Sequence, residues 1–117
     1  GLFDIIGHLD LIKIFNFKPD NIDIIDLVDP VLRSIKQNNL VIEINTNGLN
    51  KPVGEIYPSE KIIKRAYQLE IPVTLGSDAH SVDRIGENLA EIAGLLLDIG
   101  YEMIATFNNR KKIMIEI

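Results

Sequence analysis

The chain has 117 residues, 46% of them apolar and 25% charged, and a formal net charge of −5. That length allows one compact domain but only part of a complete eight-stranded α/β barrel, which needs roughly 250 residues. The acidic balance argues against a nucleic-acid partner, and the lack of cysteine excludes disulfides, thiolate metal sites and cysteine nucleophiles.

No apolar run approaches the ~20 residues that a bilayer crossing takes, and no basic segment marks a signal peptide. The expectation is a soluble, cytoplasmic chain with no membrane partner. Basic residues are scattered except in Arg110-Lys111-Lys112, a run short enough to be a solvated end. Gly1 is followed at once by Leu2-Phe3-Asp4-Ile5-Ile6-Gly7, which reads as a strand already under way. The sequence therefore reads as a piece of a larger domain.

Short apolar runs alternate with helical periodicity, the pattern of βα units on a mainly parallel sheet. Phe3 to His8 is the first predicted strand, and a loop through Asn16, Pro19 and Asn21 follows it. A helix is expected from about Ile25 to Gln37, with Val28, Leu32 and Ile35 on one face. Asp29-Pro30 inside it resembles an N-cap followed by proline at the first helical position. Asn38-Asn39 can end the helix in the left-handed conformation. Leu40 to Ile44 is a buried strand that leaves through Asn45-Thr46-Asn47-Gly48.

Pro58-Ser59 opens the next helix, whose apolar face is Ile62, Ile63, Ala66 and Leu69. Pro72 to Leu75 is the third strand and ends at Gly76. A helix from about Arg84 to Ile99 follows, with Ile85, Leu89, Ile92, Ala93 and Leu96 toward the core and Gly100 as its C-cap. Met103 to Phe107 is a fourth strand, and Lys112 to Ile117 a short fifth one joined through Asn108-Asn109.

The chemistry gathers around the two histidines. Each has an aspartate two positions away, in Gly7-His8-Leu9-Asp10 and Ser77-Asp78-Ala79-His80. Both segments follow a predicted strand, where parallel α/β folds place their active sites. In extended chain, residues i and i+2 share a side, so Asp78 and His80 would face one spot. A carboxylate and an imidazole suit Zn²⁺, Mn²⁺ or Fe²⁺. The same residues also suit a helix cap, with Asp78 or Ser81 capping the helix that follows. Spacing alone leaves both open.

The run Ile6-Gly7-His8-Leu9-Asp10-Leu11-Ile12-Lys13, then Glu43-Ile44-Asn45-Thr46-Asn47-Gly48-Leu49, then Gly76-Ser77-Asp78-Ala79-His80 resembles the histidinol-phosphatase branch of the PHP (polymerase and histidinol phosphatase) family. Tyr57-Pro58-Ser59 and Gly100-Tyr101-Glu102 with Phe107 also resemble that branch, in the same order. The resemblance implies an α/β fold that is the C-terminal part of a distorted (β/α)₇ TIM-like barrel, with residues 1–117 lying in a single PHP domain. It implies a divalent metal centre of up to three ions, Zn, Mn or Fe. His8, Asp78 and His80 match metal ligands, and Asp78 and His80 thereby become the catalytic residues. The other ligands of the family have no counterpart here. Glu43 does not match the bridging glutamate and reads as a carboxylate that orients the loop or the ligands.

The implied reaction is hydrolysis of a phosphate monoester, L-histidinol phosphate, in histidine biosynthesis. Lys13 and Arg84 are the candidate phosphate-binding cations. The alternatives are a PHP-type phosphoesterase or nuclease-like domain with another substrate, and a non-catalytic piece. With part of the ligand set and an unpaired first strand, the isolated chain is expected to be inactive and to self-associate.

Overall fold

In the computed structural model, residues 1–117 form a three-stranded parallel sheet, three α-helices and a separate hairpin. The sheet contains β1 (Ile5–Ile6), β2 (Val41–Asn45) and β3 (Val73–Gly76), in that spatial order. Helix α1 (Ile24–Gln37) joins the first pair and α2 (Glu60–Gln68) the second. Each crossover thus moves the chain one strand further in the same direction.

The central strand has two different faces. Ile42 and Ile44 are fully buried in a cluster with Val28, Leu32 and Ile35 of α1 and Ile62, Ile63 and Ala66 of α2. The alternation of a strand sends their neighbours Glu43 and Asn45 to the opposite face. Fully burying one such aliphatic side chain stabilises the fold by roughly 1.5–3 kcal/mol. The helical faces read from the periodicity of both helices are therefore the faces that pack.

Four expectations need correction. The first strand is only Ile5–Ile6, paired with Val41 and Ile42 on one side, because His8 turns left-handed (φ 52°) and ends the extended run. Helix α1 begins at Ile24, capped by the Asp23 carboxylate accepting from the Ile25 N–H, and it runs through Pro30. Asp29 is not a cap. Its oxygens instead accept from Arg33 (2.7 Å) and from Arg65 of α2 (2.6 Å), which ties the two helices together.

The third helix, α3 (Leu89–Ile99), starts five residues late. Val82–Arg84 is a 3₁₀ turn, and Gly86 and Asn88 have positive φ, so no α-helix can run through them. Ile85, expected in the core, is exposed as a result. Finally, β4 (Met103–Asn108) and β5 (Lys111–Glu116) pair with each other, antiparallel, in a sheet of their own. Asn109 and Arg110 both have positive φ (48° and 64°), the requirement of a two-residue type I′ turn. Asn39 does adopt the left-handed conformation expected after α1. No helix is long and apolar enough to cross a membrane.

Gly100 closes α3 with φ 123°, and a Cβ there would stand 2.6 Å from the Tyr67 ring and hydroxyl. Tyr67 itself packs edge-on against Tyr101, whose hydroxyl donates to the Ile71 carbonyl. Gly100→Ala is therefore expected to destabilise the chain by more than ~1 kcal/mol, read as a lower urea midpoint at constant slope.

Candidate metal centre

The loop after β1 is held by buried charge. Asp10 is 5% exposed, and its Oδ2 accepts from the Ser59 N–H at the start of α2 (2.9 Å) and lies 3.0 Å from the Lys13 ammonium. Lys13 also donates to Glu55 Oε2 (3.0 Å) and the Ile56 carbonyl (2.8 Å). Three acceptors match the three protons of an ammonium group. Lys13 also stands 5.5 Å from the centroid of the Tyr57 ring. The structure thus commits Lys13, a candidate phosphate cation, to holding the loop that carries His8.

Over the end of β2 lies a polar cradle. A Cβ at Gly7 would come within 3.0 Å of Glu43 Oε2, and one at Gly76 would run into Glu43 Oε1. Glycines on both flanking segments therefore leave the space that this carboxylate fills. Glu43 Oε2 is 4.0 Å from His8 Nδ1 and 3.3 Å from Asn45 Nδ2. Asn45 Nδ2 is also 3.5 Å from His8 Nε2. Glu43 thus sits beside His8 without a hydrogen bond to it. Asn45, fully buried, is absent from the candidates that the sequence offers; a polar residue closing an apolar strand is the only signal it leaves there.

Beyond β3, the Asp78 carboxylate reaches back over β2. Its Oδ2 accepts from Asn47 Nδ2 (3.0 Å) and stands 3.5 Å from His8 Nε2. The Asn47 hydrogen bond, with the nearby His80 and His8, holds the Asp78 carboxyl below its ordinary range against the opposing effect of burial. Asp78 has φ 48°, so the extended-chain alternation expected to aim Asp78 and His80 together does not operate here. His80 is exposed, and its Nδ1 lies 2.7 Å from the Asp78 carbonyl. A carbonyl only accepts, so Nδ1 is the donor in that bond and Nε2 is the ring nitrogen it leaves uncommitted. The cap alternative fails: Asn88 occupies the N-cap of α3, and Ser81 makes no capping hydrogen bond to the turn after it. Arg84 donates from Nη2 to Asn47 Oδ1 (3.0 Å) and from Nε to Glu87 Oε2 (2.9 Å).

The donor set fits a divalent cation in part. Two ligands ~2.1 Å from a tetrahedral ion lie about 3.4 Å apart. The 3.5 Å between His8 Nε2 and Asp78 Oδ2 matches that spacing. No group of three or more histidine, aspartate or glutamate side chains is gathered tightly enough to hold an ion.

No protein-family model matches the chain. A protein of Deinococcus radiodurans named probable histidinol-phosphatase is 38% identical over 112 residues, 95% of this chain and 41% of that protein. The histidinol-phosphatase of Bacillus subtilis is 35% identical over 69% of this chain and 32% of its own length. This chain is homologous to part of the histidinol-phosphatases. A Thermotoga maritima relative named probable histidinol-phosphatase agrees, at 33% identity over 88% of this chain and 44% of its own. The fold matches a crystal structure from Listeria monocytogenes, of a protein assigned provisionally as the histidinol phosphatase hisK. That match has a TM-score of 0.69 and 32% identity, over 78% of this chain and 37% of the other. The chain thus spans about two fifths of the length of the curated relatives it matches.

Removing one partner of a buried ion pair leaves the other charge uncompensated, at a cost of roughly 3–5 kcal/mol. Lys13→Met is therefore expected to lower stability by about 3 kcal/mol, measured by urea unfolding. The Asp10–Lys13 pair, at most 8% exposed, makes that cost larger than for the solvated Lys61–Asp23 pair.

Proposed function

We propose that this chain carries part of the active site of a metal-dependent phosphomonoesterase, with L-histidinol phosphate as substrate and histidine biosynthesis as its setting. The observation that carries the reading is the approach of His8 Nε2 to Asp78 Oδ2 at 3.5 Å, over the carboxyl ends of the parallel strands. The relatives supply the substrate class through their names.

His8, Asp78 and His80 are the ligands in this reading, and donors outside residues 1–117 complete a centre of up to three Zn, Mn or Fe ions. Bound there, divalent cations would lower the pKa of a water molecule and neutralise phosphoryl oxygens. The chain's own residues prepare the place. Asp78, held below the ordinary carboxyl range, is anionic at neutral pH. His80 binds its own loop through Nδ1, which leaves Nε2 as the ring nitrogen for an ion. Glu43 and Asn45 line the floor beneath His8. Arg84, two hydrogen bonds from Asp78, is the candidate cation for the phosphate group.

The strand order β1-β2-β3, advancing one step per helix, supports a place in a distorted (β/α)₇ barrel as part of a single PHP domain. The free edge of β1 and the exposed Leu2, Phe3 and Ile5 support self-association of the isolated chain, which by itself would be inactive.

Asp78→Asn and His80→Ala, made in the protein that contains this chain, should each lower histidinol-phosphate turnover about 100-fold or more, since changing even an outer partner of a ligand typically costs 10–100-fold. Circular dichroism should remain that of the unmodified protein. Near-parental turnover of either variant with saturating Mn²⁺ would remove it from the ligand set.

A further inference from the structure

Behind Asp78 lies a connected set of polar side chains that the three proposed ligands do not account for. Asn47, 2% exposed, uses both ends of its amide: Nδ2 donates to Asp78 Oδ2 and Oδ1 accepts from Arg84 Nη2, each at 3.0 Å. Its backbone N–H donates to Asn45 Oδ1 (3.0 Å), so the β2 end fixes where the amide stands. Arg84 is held in turn by Glu87 Oε2. The Glu87 segment is pinned twice more, by Thr46 Oγ1 on its carbonyl (2.8 Å) and by Asn50 Nδ2 on its carboxylate (3.1 Å).

We propose that Asn47 is a positioning residue that sets the direction of the Asp78 carboxylate, with Arg84 and Glu87 as its brace. The inference rests on the assignment of Asp78 as a metal ligand. Asp78 sits in a loop with its side chain about one-third exposed, and the Asn47 amide, at 3.0 Å, is nearer its Oδ2 than His8 is at 3.5 Å. A neutral amide orients the carboxylate without cancelling the charge that a cation requires. A lysine or arginine in direct contact would orient it and compete with the ion. Placing the guanidinium one step back, on Asn47 Oδ1, polarises the amide and strengthens its donor end. Groups that hold ligating side chains in this way typically change metal affinity 10–100-fold when removed.

The test is a calorimetric titration of Mn²⁺ into the protein containing this chain, with Asp78→Asn and Asn47→Ala alongside. Asp78→Asn should abolish or strongly weaken one class of Mn²⁺ site, and Asn47→Ala should weaken the same class 10–100-fold. If Asp78→Asn loses the site while Asn47→Ala binds within twofold of the unmodified protein, the positioning role is overturned and the metal reading stands. If Asp78→Asn leaves every Mn²⁺ site intact, both fall. Should Asn47→Ala fail to fold, the unmodified protein decides the matter by NMR. Addition of Zn²⁺ should shift the Asn47 side-chain amide resonances, and Zn²⁺ binding without such a shift refutes the proposal.

Discussion

The whole arrangement depends on β2 having two faces. On one, Ile42 and Ile44 are fully buried between α1 and α2, and the hydrophobic effect fixes the position of the strand. On the other, Glu43 and Asn45 stand under the polar centre. A one-residue slip of register would exchange the two sets, placing a carboxylate in the aliphatic core. The same packing that stabilises the sheet therefore sets the floor of the site to within a hydrogen bond. Gly7 and Gly76 complete the constraint from either side by leaving room for the Glu43 carboxylate.

The site is assembled across β2 and not along a single strand. His8 comes from the end of β1 and Asp78 from the end of β3, strands that lie about 9.5 Å apart in a sheet with a ~4.8 Å spacing. Their side chains meet at 3.5 Å, and both residues take left-handed backbone conformations, φ 52° and 48°, that end the extended run of each strand. Such conformations are sparsely populated for a histidine and persist where the surroundings over-determine them. Here the surroundings are specific: Asp10 bound to Ser59 behind His8, and Asn47 bound to Asp78 in front.

What the sequence made legible follows from how local each cause is. The faces of α1 and α2 were readable because their periodicity reflects one packing surface, and β2 because Val41, Ile42 and Ile44 gather β-branched apolar residues in one short run. The start of α3 was not, since the left-handed Gly86 and Asn88 leave no periodic signature in the residues around them. The link between β4 and β5 was legible to within one residue, and its turn falls at Asn109-Arg110, a type I′ turn without the usual glycine. At the site, histidine and aspartate stood out by residue type. For Lys13, a candidate phosphate cation by its place after His8, sequence spacing does not reveal that Glu55 and Ile56, more than forty residues away, converge on its ammonium. Asn47 was overlooked because asparagine in a loop looks like turn chemistry until its partners are known.

The bond from Asp10 to the Ser59 N–H joins residues 49 apart in sequence and connects the His8 loop to the first turn of α2. That amide lacks an acceptor within its own helix, as every early helical amide does. Its shielding from solvent thus depends on a carboxylate carried by a different segment. The rate at which Ser59 exchanges its hydrogen with deuterated water becomes a gauge of how often the His8 loop lifts from the helix, separate from the opening of α2 itself. A single backbone proton in one element thereby reports the residence of the His8 loop against another.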